Sequence, residues 1–226
     1  SQMNQNAYYE FLKNKRVLVI GPSKSTEGKN YRDFVNSFDV VVRLNRLIDC
    51  IDEMYDTFGD RIDVLYNGLN DVYANGIINI EKWMSTGLTW VCSPFAAESL
   101  NVQPKLIRNF MQKNKGRINF YVPSIAGYSE IFKGMDNTRP DTGCMAIIDL
   151  LRSELKELHT IGITFCLDGH SKIYSNMDDE AFVKRADNGC HRIRPKFLYM
   201  RNYILKDNPR FFPDPILKKL LEEAYS

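Results

Sequence analysis

The chain has 226 residues, of which 44% are hydrophobic and 26% are charged, a composition typical of a packed globular protein. This composition excludes a disordered tail, a collagen-like fibre and a small disulfide-rich scaffold. The 30 basic and 28 acidic residues give a net charge of +2, which argues against a dedicated nucleic-acid-binding protein. No apolar run approaches the roughly 18 residues of a membrane span, and the polar N-terminus lacks the apolar core of a signal peptide.

The predicted elements are mostly strands and helices in alternation. In chain order they are helix 4–14, strand 16–20, helix 29–36, strand 38–43, strand 61–66, helix 77–85, strand 89–92, helix 104–115, strand 117–122, helix 142–156, strand 157–165, helix 195–207 and helix 215–225. The strands are almost continuously apolar, which is typical of a mainly parallel sheet with helices on both faces. No linker or repeat divides the sequence, so we predict one Rossmann-like α/β domain over residues 1–226.

The loop after the first predicted strand is a candidate phosphate site, because ligands of such sheets bind beside the C-terminal strand ends. Residues 19–29 contain a glycine turn whose backbone N–H groups can contact a phosphate, with Gly21 and Ser23 as candidate contacts. Six residues separate Gly21 from Gly28, so the loop is not a Walker A motif, nor is it the G-x-G-x-x-G of NAD-binding proteins. A plain strand-to-helix turn is the alternative.

Further polar residues follow the other predicted strands. The second strand ends in Arg43 and is followed by Asn45, which places a cation and an amide at the ligand edge. Asn67 opens an Asn-Gly turn after the third strand. Thr142 and Gly143 begin a strong helix, and the first N–H groups of a helix form an anion site. For Arg43 and Asn45, the alternative is a surface salt bridge with a turn-forming asparagine. For Asn67 it is an ordinary turn, and for the start of the helix it is a cap without a ligand.

Two later segments supply candidate acid–base groups. Residues 168–174 follow the last predicted strand and include His170 and Tyr174. His191 immediately precedes a helix, where the helix dipole disfavours a charged imidazole. A neutral imidazole is the form that a general base needs. The alternative for residues 168–174 is an ordinary surface loop, and the alternative for His191 is a histidine that caps or packs locally.

The cysteines predict reduced thiols. They are odd in number and widely spaced, with no C-x-x-C pair, and the three histidines are not clustered with them as a zinc site requires. The five are Cys50, Cys92, Cys144, Cys166 and Cys190.

In their shared order, these motifs resemble those of the sialyltransferases, chiefly glycosyltransferase family 29 and secondarily the bacterial family 42. Residues 17–45 resemble the long motif, which runs from a strand and a glycine loop to a strand ending Arg-hydrophobic-Asn. Residues 140–143 (Pro-Asp-Thr-Gly), continuing through 158–163, resemble the short motif. Tyr174 resembles the aromatic motif, and His191 resembles the histidine that opens a helix. The resemblance covers most of the chain.

The resemblance implies a variant GT-A fold and an inverting transfer of a sialic-acid-like sugar from a CMP donor to a hydroxyl of a glycan acceptor. His191 is the implied general base. Asn45 and Asn67 are the implied nucleotide contacts, the second closer to the family 42 pattern. The groups implied to stabilise the leaving phosphate are Ser23, Thr142, Gly143, Tyr174 and His170.

No metal ion and no other cofactor are expected. Many transferases that use nucleotide diphosphates hold a divalent ion with a D-x-D motif, and this sequence has none. A CMP leaving group carries less charge than a diphosphate and needs less neutralisation. The expected partners are the nucleotide-sugar donor and the glycan acceptor, and the oligomeric state is open.

The sequence departs from the family pattern at positions that bear on donor binding. Pro22 stands where the family usually has Asn, Asp141 where it has Ser, and Lys196 in the region of an acidic residue. A carboxylate at position 141 is unfavourable near a phosphate unless it caps the helix. Three alternatives follow: a transferase of CMP-Kdo or another nucleotide sugar, a non-catalytic nucleotide- or glycan-binding module, and an unrelated doubly wound protein such as a methyltransferase.

The acceptor is expected at loops without readable motifs, residues 71–76, 95–102 and 124–138. Lys15 and His159 lie near the positions of the cysteines that form a disulfide in animal enzymes. With no animal-type anchor in the sequence, this favours a cytoplasmic bacterial or viral enzyme. The Golgi lumen is the alternative if the sequence is part of a longer, anchored protein.

Overall fold

The computed structural model describes residues 4–95, 103–123, 125–175 and 192–225, together with residues 180 and 184. The strands are β1 (Arg16–Ile20), β2 (Val40–Leu44), β3 (Val64–Tyr66), β4 (Trp90–Cys92), β5 (Asn119–Tyr121), β6 (Glu157–Ile161) and β7 (Phe211–Pro213). They form one sheet in the order β5-β4-β3-β2-β1-β6-β7, and every pairing is parallel. The predicted Rossmann-like α/β fold is confirmed.

The helices connect these strands. They are α1 (Gln5–Leu12), α2 (Arg32–Asn36), α3 (Tyr55–Phe58), α4 (Ile80–Ser85), α5 (Gln103–Asn114), α6 (Ile125–Gly134), α7 (Thr142–Arg152), α8 (Ile193–Asp207) and α9 (Pro215–Glu223). Short 3₁₀ helices lie at Lys24–Thr26, Asn45–Ile48 and Tyr73–Asn75. Within the described part of the chain, no helix is both long enough and apolar enough to cross a membrane.

Apolar side chains cover both faces of β3, β4 and β5. Successive residues of a strand point to opposite faces, so each strand contributes to two cores. Leu65, Val91 and Phe120 belong to a core shared with α4 and α5. The larger core, shared with α1 and α7, contains the alternate residues Val64, Tyr66, Trp90, Cys92 and Tyr121. The predicted helices on both faces are therefore confirmed.

Helix α6, strand β7 and the short helix α3 were not predicted from the sequence. Helix α6 lies within residues 124–138, which we expected to be an acceptor loop, and its sequence contains two glycines, a serine and bulky aromatic residues of modest helix propensity. Tertiary packing supports it, since Tyr128 and Ile131 are buried in the larger core. Strand β7 has three residues, lies at the sheet edge and ends in Pro213, where a missing donor is tolerated.

The described cysteines are free thiols, as predicted, and Cys190 lies outside the described residues. They are Cys50, Cys92, Cys144 and Cys166.

The centre of the sheet is the point where the strand order reverses. The chain adds strands outward from β1 to β5 and then returns to place β6 on the other side of β1. The loops around this reversal leave a crevice at the C-terminal edge of the sheet, which is the usual position of a ligand in such a fold.

Two glycines allow the loops after β1 and β6 to touch at this point. A Cβ atom added to Gly21 would lie 2.4 Å from the Gly162 carbonyl oxygen, and one added to Gly162 would lie 2.3 Å from that of Gly21. Gly162 also has φ +72°, which disfavours any side chain. This turn ends β6 at Ile161, four residues before the predicted end of the strand.

A buried carboxylate anchors the middle of α7 to the sheet. Asp149 accepts hydrogen bonds from the phenols of Tyr66 (2.6 Å), Tyr9 (2.7 Å) and Tyr121 (2.8 Å), which lie on β3, α1 and β5. Tyr8 shares a further hydrogen bond with the Tyr66 hydroxyl at 2.9 Å. Burial raises the pKa of Asp149, and the three phenol donors partly oppose that rise.

We expect Gly162→Ala to destabilise the protein by more than its backbone conformation alone explains. Gly28→Ala is the matched control, because Gly28 has φ +73° and its added Cβ meets nothing within 4 Å. The control should cost about 1–2 kcal/mol from left-handed strain. Gly162→Ala should cost about 1–3 kcal/mol more from overpacking. Urea unfolding measures both, and equal losses would contradict the close contact.

We also expect Tyr66→Phe to lower the free energy of unfolding by about 1–3 kcal/mol, because it leaves buried hydrogen-bonding groups without a partner. Tyr73→Phe is the control, since the Tyr73 side chain is 66% exposed, and its effect should stay within about 0.5 kcal/mol. Denaturant unfolding of both variants tests the network. A Tyr66→Phe loss as small as that of the control would refute it.

Candidate active site

A cavity of about 390 Å³ opens at the C-terminal edge of the sheet, where the strand order reverses. Its walls come from the loops after β1, β2 and β6 and from the N-terminus of α7. Six of the nine predicted site residues line it, although they are spread over much of the sequence. These are Ser23, Asn45, Thr142, Gly143, His170 and Tyr174.

The other three predicted residues lie elsewhere. Gly21 is at the contact with Gly162, which itself lines the cavity. Asn67 is fully buried. His191 lies outside the described residues, next to Arg192, the N-cap residue of α8. The binding and catalytic roles of all nine residues stay predictions.

The loops after β1 and β6 are joined by backbone and side-chain hydrogen bonds. Ser23 and His170 form an isolated antiparallel bridge, and Ser171 N donates to Pro22 O at 2.8 Å. The Ser23 hydroxyl donates to Asp168 Oδ2 at 2.8 Å, and Thr164 Oγ1 donates to Asp168 Oδ1 at 2.5 Å. The Asp168 carboxylate therefore links the loop after β1 to the loop after β6 within the cavity wall.

Asn45 connects three walls of the cavity. Its φ of 45° turns the chain sharply after β2, a conformation that asparagine tolerates better than most residues. Its Nδ2 donates to Thr142 Oγ1 at 3.0 Å, and its Oδ1 accepts from Gly68 N at 3.3 Å. Through these hydrogen bonds, one amide links the ends of β2 and β3 to the start of α7.

Asn67 shapes its own loop instead of lining the cavity. Its Nδ2 donates to Asn75 O at 2.6 Å, and its Oδ1 accepts from Leu69 N at 2.7 Å. Both ends of the amide are used within the loop after β3. The side chain from this loop that lines the cavity is Asn70.

The expectation that Arg43 places a cation at the ligand edge is wrong. Its side chain is fully buried and donates from Nε to Arg61 O at 2.9 Å and from Nη2 to Gly59 O at 3.1 Å. Burial lowers the pKa of Arg43 to about 10. The strand continues one residue further, to Leu44, and it is Leu44 and Asn45 that reach the cavity.

His170 and Tyr174 form an aromatic pair in the cavity wall. Their ring centroids are 4.8 Å apart, and the planes meet edge to face at 82°. Tyr174 is 8% exposed, and its burial raises the pKa of the phenol, which therefore stays protonated at neutral pH. A protonated phenol in this position can donate a hydrogen bond to an anionic ligand.

The N-terminus of α7 forms the opposite wall. Asp141 is its N-cap, and Asp141 Oδ1 accepts from Cys144 N at 2.8 Å. Asp141 Oδ2 lies 3.1 Å from Nζ of Lys196, a residue of α8. The Lys196 charge and these hydrogen bonds hold the pKa of Asp141 at about 2. The sequence predicts that a carboxylate at position 141 is unfavourable near a phosphate unless it caps the helix. Asp141 does cap the helix, and it also pairs with a cation.

Several residues that line or support this cavity were not predicted from the sequence. Asp168 and Cys166 follow β6, and Arg139 precedes α7. Only their position could have predicted a role in the site, because each lies in a loop at the ligand-binding edge of the sheet and has no motif of its own. Within the described ranges, no group of three or more His, Cys, Asp or Glu side chains is arranged to hold a metal ion.

The cavity can bind an anion. The first N–H groups of an α-helix have no partner within the helix, and the helix dipole favours negative charge there. Arg139 lines the same cavity and adds a cation. The Tyr174 phenol adds a neutral donor from the other wall.

No protein-family model and no curated protein sequence matches the chain. Several solved structures share its fold. A mammalian sialyltransferase in complex with Gal-beta-1-3GalNAc-ortho-nitrophenol is 14% identical over 91% of this chain and 71% of that chain, with a TM-score of 0.56. The sialyltransferase CstII from Campylobacter jejuni, in complex with the substrate analogue CMP-3FNeuAc, is 13% identical over 88% of this chain and 81% of that chain, with a TM-score of 0.58.

The monofunctional alpha-2,3-sialyltransferase Cst-I from the same organism is 13% identical over 88% of this chain and 75% of that chain, with a TM-score of 0.55. At these identities the likeness concerns the fold. The chain has a sialyltransferase-like fold, as the motifs predicted.

Proposed function

We propose that this protein is an inverting glycosyltransferase that moves a sialic-acid-like sugar from a CMP donor to a hydroxyl of a glycan, without a metal ion. One observation carries the proposal. In a sialyltransferase-like fold, six predicted site residues scattered over the sequence line one cavity that ends at the N-terminus of α7. Loops after parallel strands meet at this edge in any such sheet, so it is the sialyltransferase-like fold that turns this shared lining into support for the proposed function.

The N-terminus of α7 would stabilise the leaving phosphate. Thr142 and Gly143 are its first two residues and line the cavity. The helix end carries roughly half a unit of positive charge, and donors fixed in place stabilise charge that develops in the transition state. Tyr174 and His170 would donate from the facing wall. A single phosphate needs no more than this, which agrees with the lack of a D-x-D motif.

The nucleotide would lie along the loops after β2 and β3. Asn45 and Asn70 both line the cavity there. The Asn70 amide offers donors and an acceptor to a base or ribose, and the Asn45 oxygen, which accepts one hydrogen bond from Gly68 N, keeps a second lone pair. Asn45 is held by Thr142, so a nucleotide bound to it is positioned relative to the phosphate site. Fixed alignment of the reacting groups lowers the barrier to transfer.

His191 would act as the general base that takes the acceptor proton. The start of α8, two residues later, is held near the cavity by two ion pairs. Arg192 pairs with Asp136 at 3.2 Å, and Lys196 pairs with Asp141 at 3.1 Å. Both partners lie between α6 and α7, and one of them, Asp141, lines the cavity, which supports a role at the cavity for the residue before Arg192.

A transferase of CMP-Kdo or another CMP-linked acidic sugar is the second candidate. Pro22 and Asp141 favour it, because they differ from the sialyltransferase pattern beside the donor site. The nucleotide and phosphate would bind in the same way, and the sugar pocket would differ. Competition between donors for transfer separates the two candidates.

We expect CMP and CDP to raise the melting temperature in the presence of EDTA, whereas UDP, GDP and ATP should not. A ligand at about 100 times its Kd stabilises the folded state by about 2.7 kcal/mol, or several degrees for a protein of this size. Thermal-shift measurements test this. A shift with UDP or GDP that EDTA abolishes would overturn the metal-independent CMP proposal.

We expect His191→Ala to lower kcat by roughly 10²–10⁴-fold while leaving CMP affinity within threefold of the wild type, because it removes only the base. His159→Gln is the control, since His159 lies on β6 and its ring stacks on Phe212 outside the cavity. Transfer assays and calorimetry measure the two effects. A non-catalytic binding module would bind CMP equally in all three proteins and would show no turnover in the wild type.

A further inference from the structure

A buried lysine lies behind the proposed phosphate site. The Lys196 side chain is 2% exposed, and its Nζ lies 3.1 Å from Asp141 Oδ2 and 3.6 Å from Cys166 Sγ. Burying an ammonium group is costly unless it is paired. The pairing with Asp141 keeps Lys196 charged, and it brings α8 against the cap of α7.

Asp141 creates an electrostatic conflict at that site. It lines the cavity and caps the helix end at which the donor phosphate would bind. A carboxylate and a phosphate compete for the same positive end of the helix, and at short range they repel. Without compensation, Asp141 would weaken the binding of the donor.

Among the described residues, no side chain other than Lys196 forms an ion pair with Asp141. The Cys166 thiol is 3.5 Å from Asp141 Oδ2, and burial raises its pKa to about 12, so it is neutral. Asp168, another lining residue, is itself acidic. Arg139 also lines the cavity, but the cation in contact with the Asp141 carboxylate is Lys196.

We propose that Lys196 is a positioning residue for the donor phosphate: it offsets the charge of Asp141 and holds that carboxylate in its capping position, so that the α7 N-terminus stays open to the phosphate. This inference rests on the proposed CMP-dependent transfer. Two of the three departures from the family pattern, Asp141 and Lys196, then form one unit, in which Lys196 compensates for Asp141.

The test compares CMP with cytidine, which lacks the phosphate, on charge variants of the pair. Lys196→Met keeps the length of the side chain and leaves Asp141 uncompensated. We expect at least tenfold weaker CMP binding, cytidine binding within threefold of the wild type, and a raised donor KM with little change in kcat. Asp141→Asn/Lys196→Met removes both charges, retains a cap acceptor, and should restore CMP affinity to within threefold. Isothermal titration calorimetry measures the affinities.

Lys82→Met is the control for removing a lysine charge, because Lys82 is half exposed and pairs with Asp49 at 3.6 Å outside the cavity. It should leave both affinities unchanged. Asp141→Asn alone keeps the Lys196 cation and must bind CMP at least as tightly as the wild type. This single variant tests the proposal even if Lys196→Met fails to fold.

Several outcomes would overturn the proposal. Unchanged CMP binding by Lys196→Met would do so. Equal losses of CMP and cytidine affinity that the double variant does not restore would also do so, since they indicate that Lys196 contributes packing alone. Weaker CMP binding by Asp141→Asn would do so too. If the wild type binds CMP and only these comparisons fail, the proposed function stands. If the wild type binds no cytidine nucleotide, the proposed function fails as well.

Discussion

The close contact of two backbone turns, at Gly21 and Gly162, determines where the cavity forms. The added-Cβ distances of 2.3–2.4 Å leave no room for a side chain on either residue, so the turns after β1 and β6 can meet only as glycines. Beyond that contact the two loops pair through Ser23 and His170 before they diverge. The crevice at the reversal of strand order thus has a rigid floor, and the polar side chains of both loops are presented above it.

Helix α7 connects the floor of the crevice to the rest of the molecule. Its middle is held by Asp149, which three tyrosines from other elements surround. Its N-terminus is held by Asp141, which Lys196 neutralises. The buried carboxylate of Asp149 and the partly exposed carboxylate at the helix cap are thus accommodated in different ways, by neutral donors in the core and by a cation at the cavity. The second arrangement keeps the end of the helix suited to an anion.

The sequence predicted most of the sheet and six of the residues that line the cavity, because both depend on local patterns. Runs of β-branched residues identify buried strands, and polar residues after those runs fall at one edge of a parallel sheet. The same reasoning treated Asn45 and Asn67 alike, since both follow a strand. Only the fold shows that the Asn45 amide spans three walls, whereas the Asn67 amide is used up within its own loop.

By itself, the sequence determined the α/β class, the order of the motifs and the glycine and helix-cap positions, since these follow from short-range propensity and periodicity. The tertiary structure alone decided that Arg43 is buried, that residues 125–134 form a helix and that Lys196 meets Asp141. Each of these depends on contacts between segments far apart in the chain. No local pattern encodes such a contact, because burial and charge pairing are properties of the assembled fold.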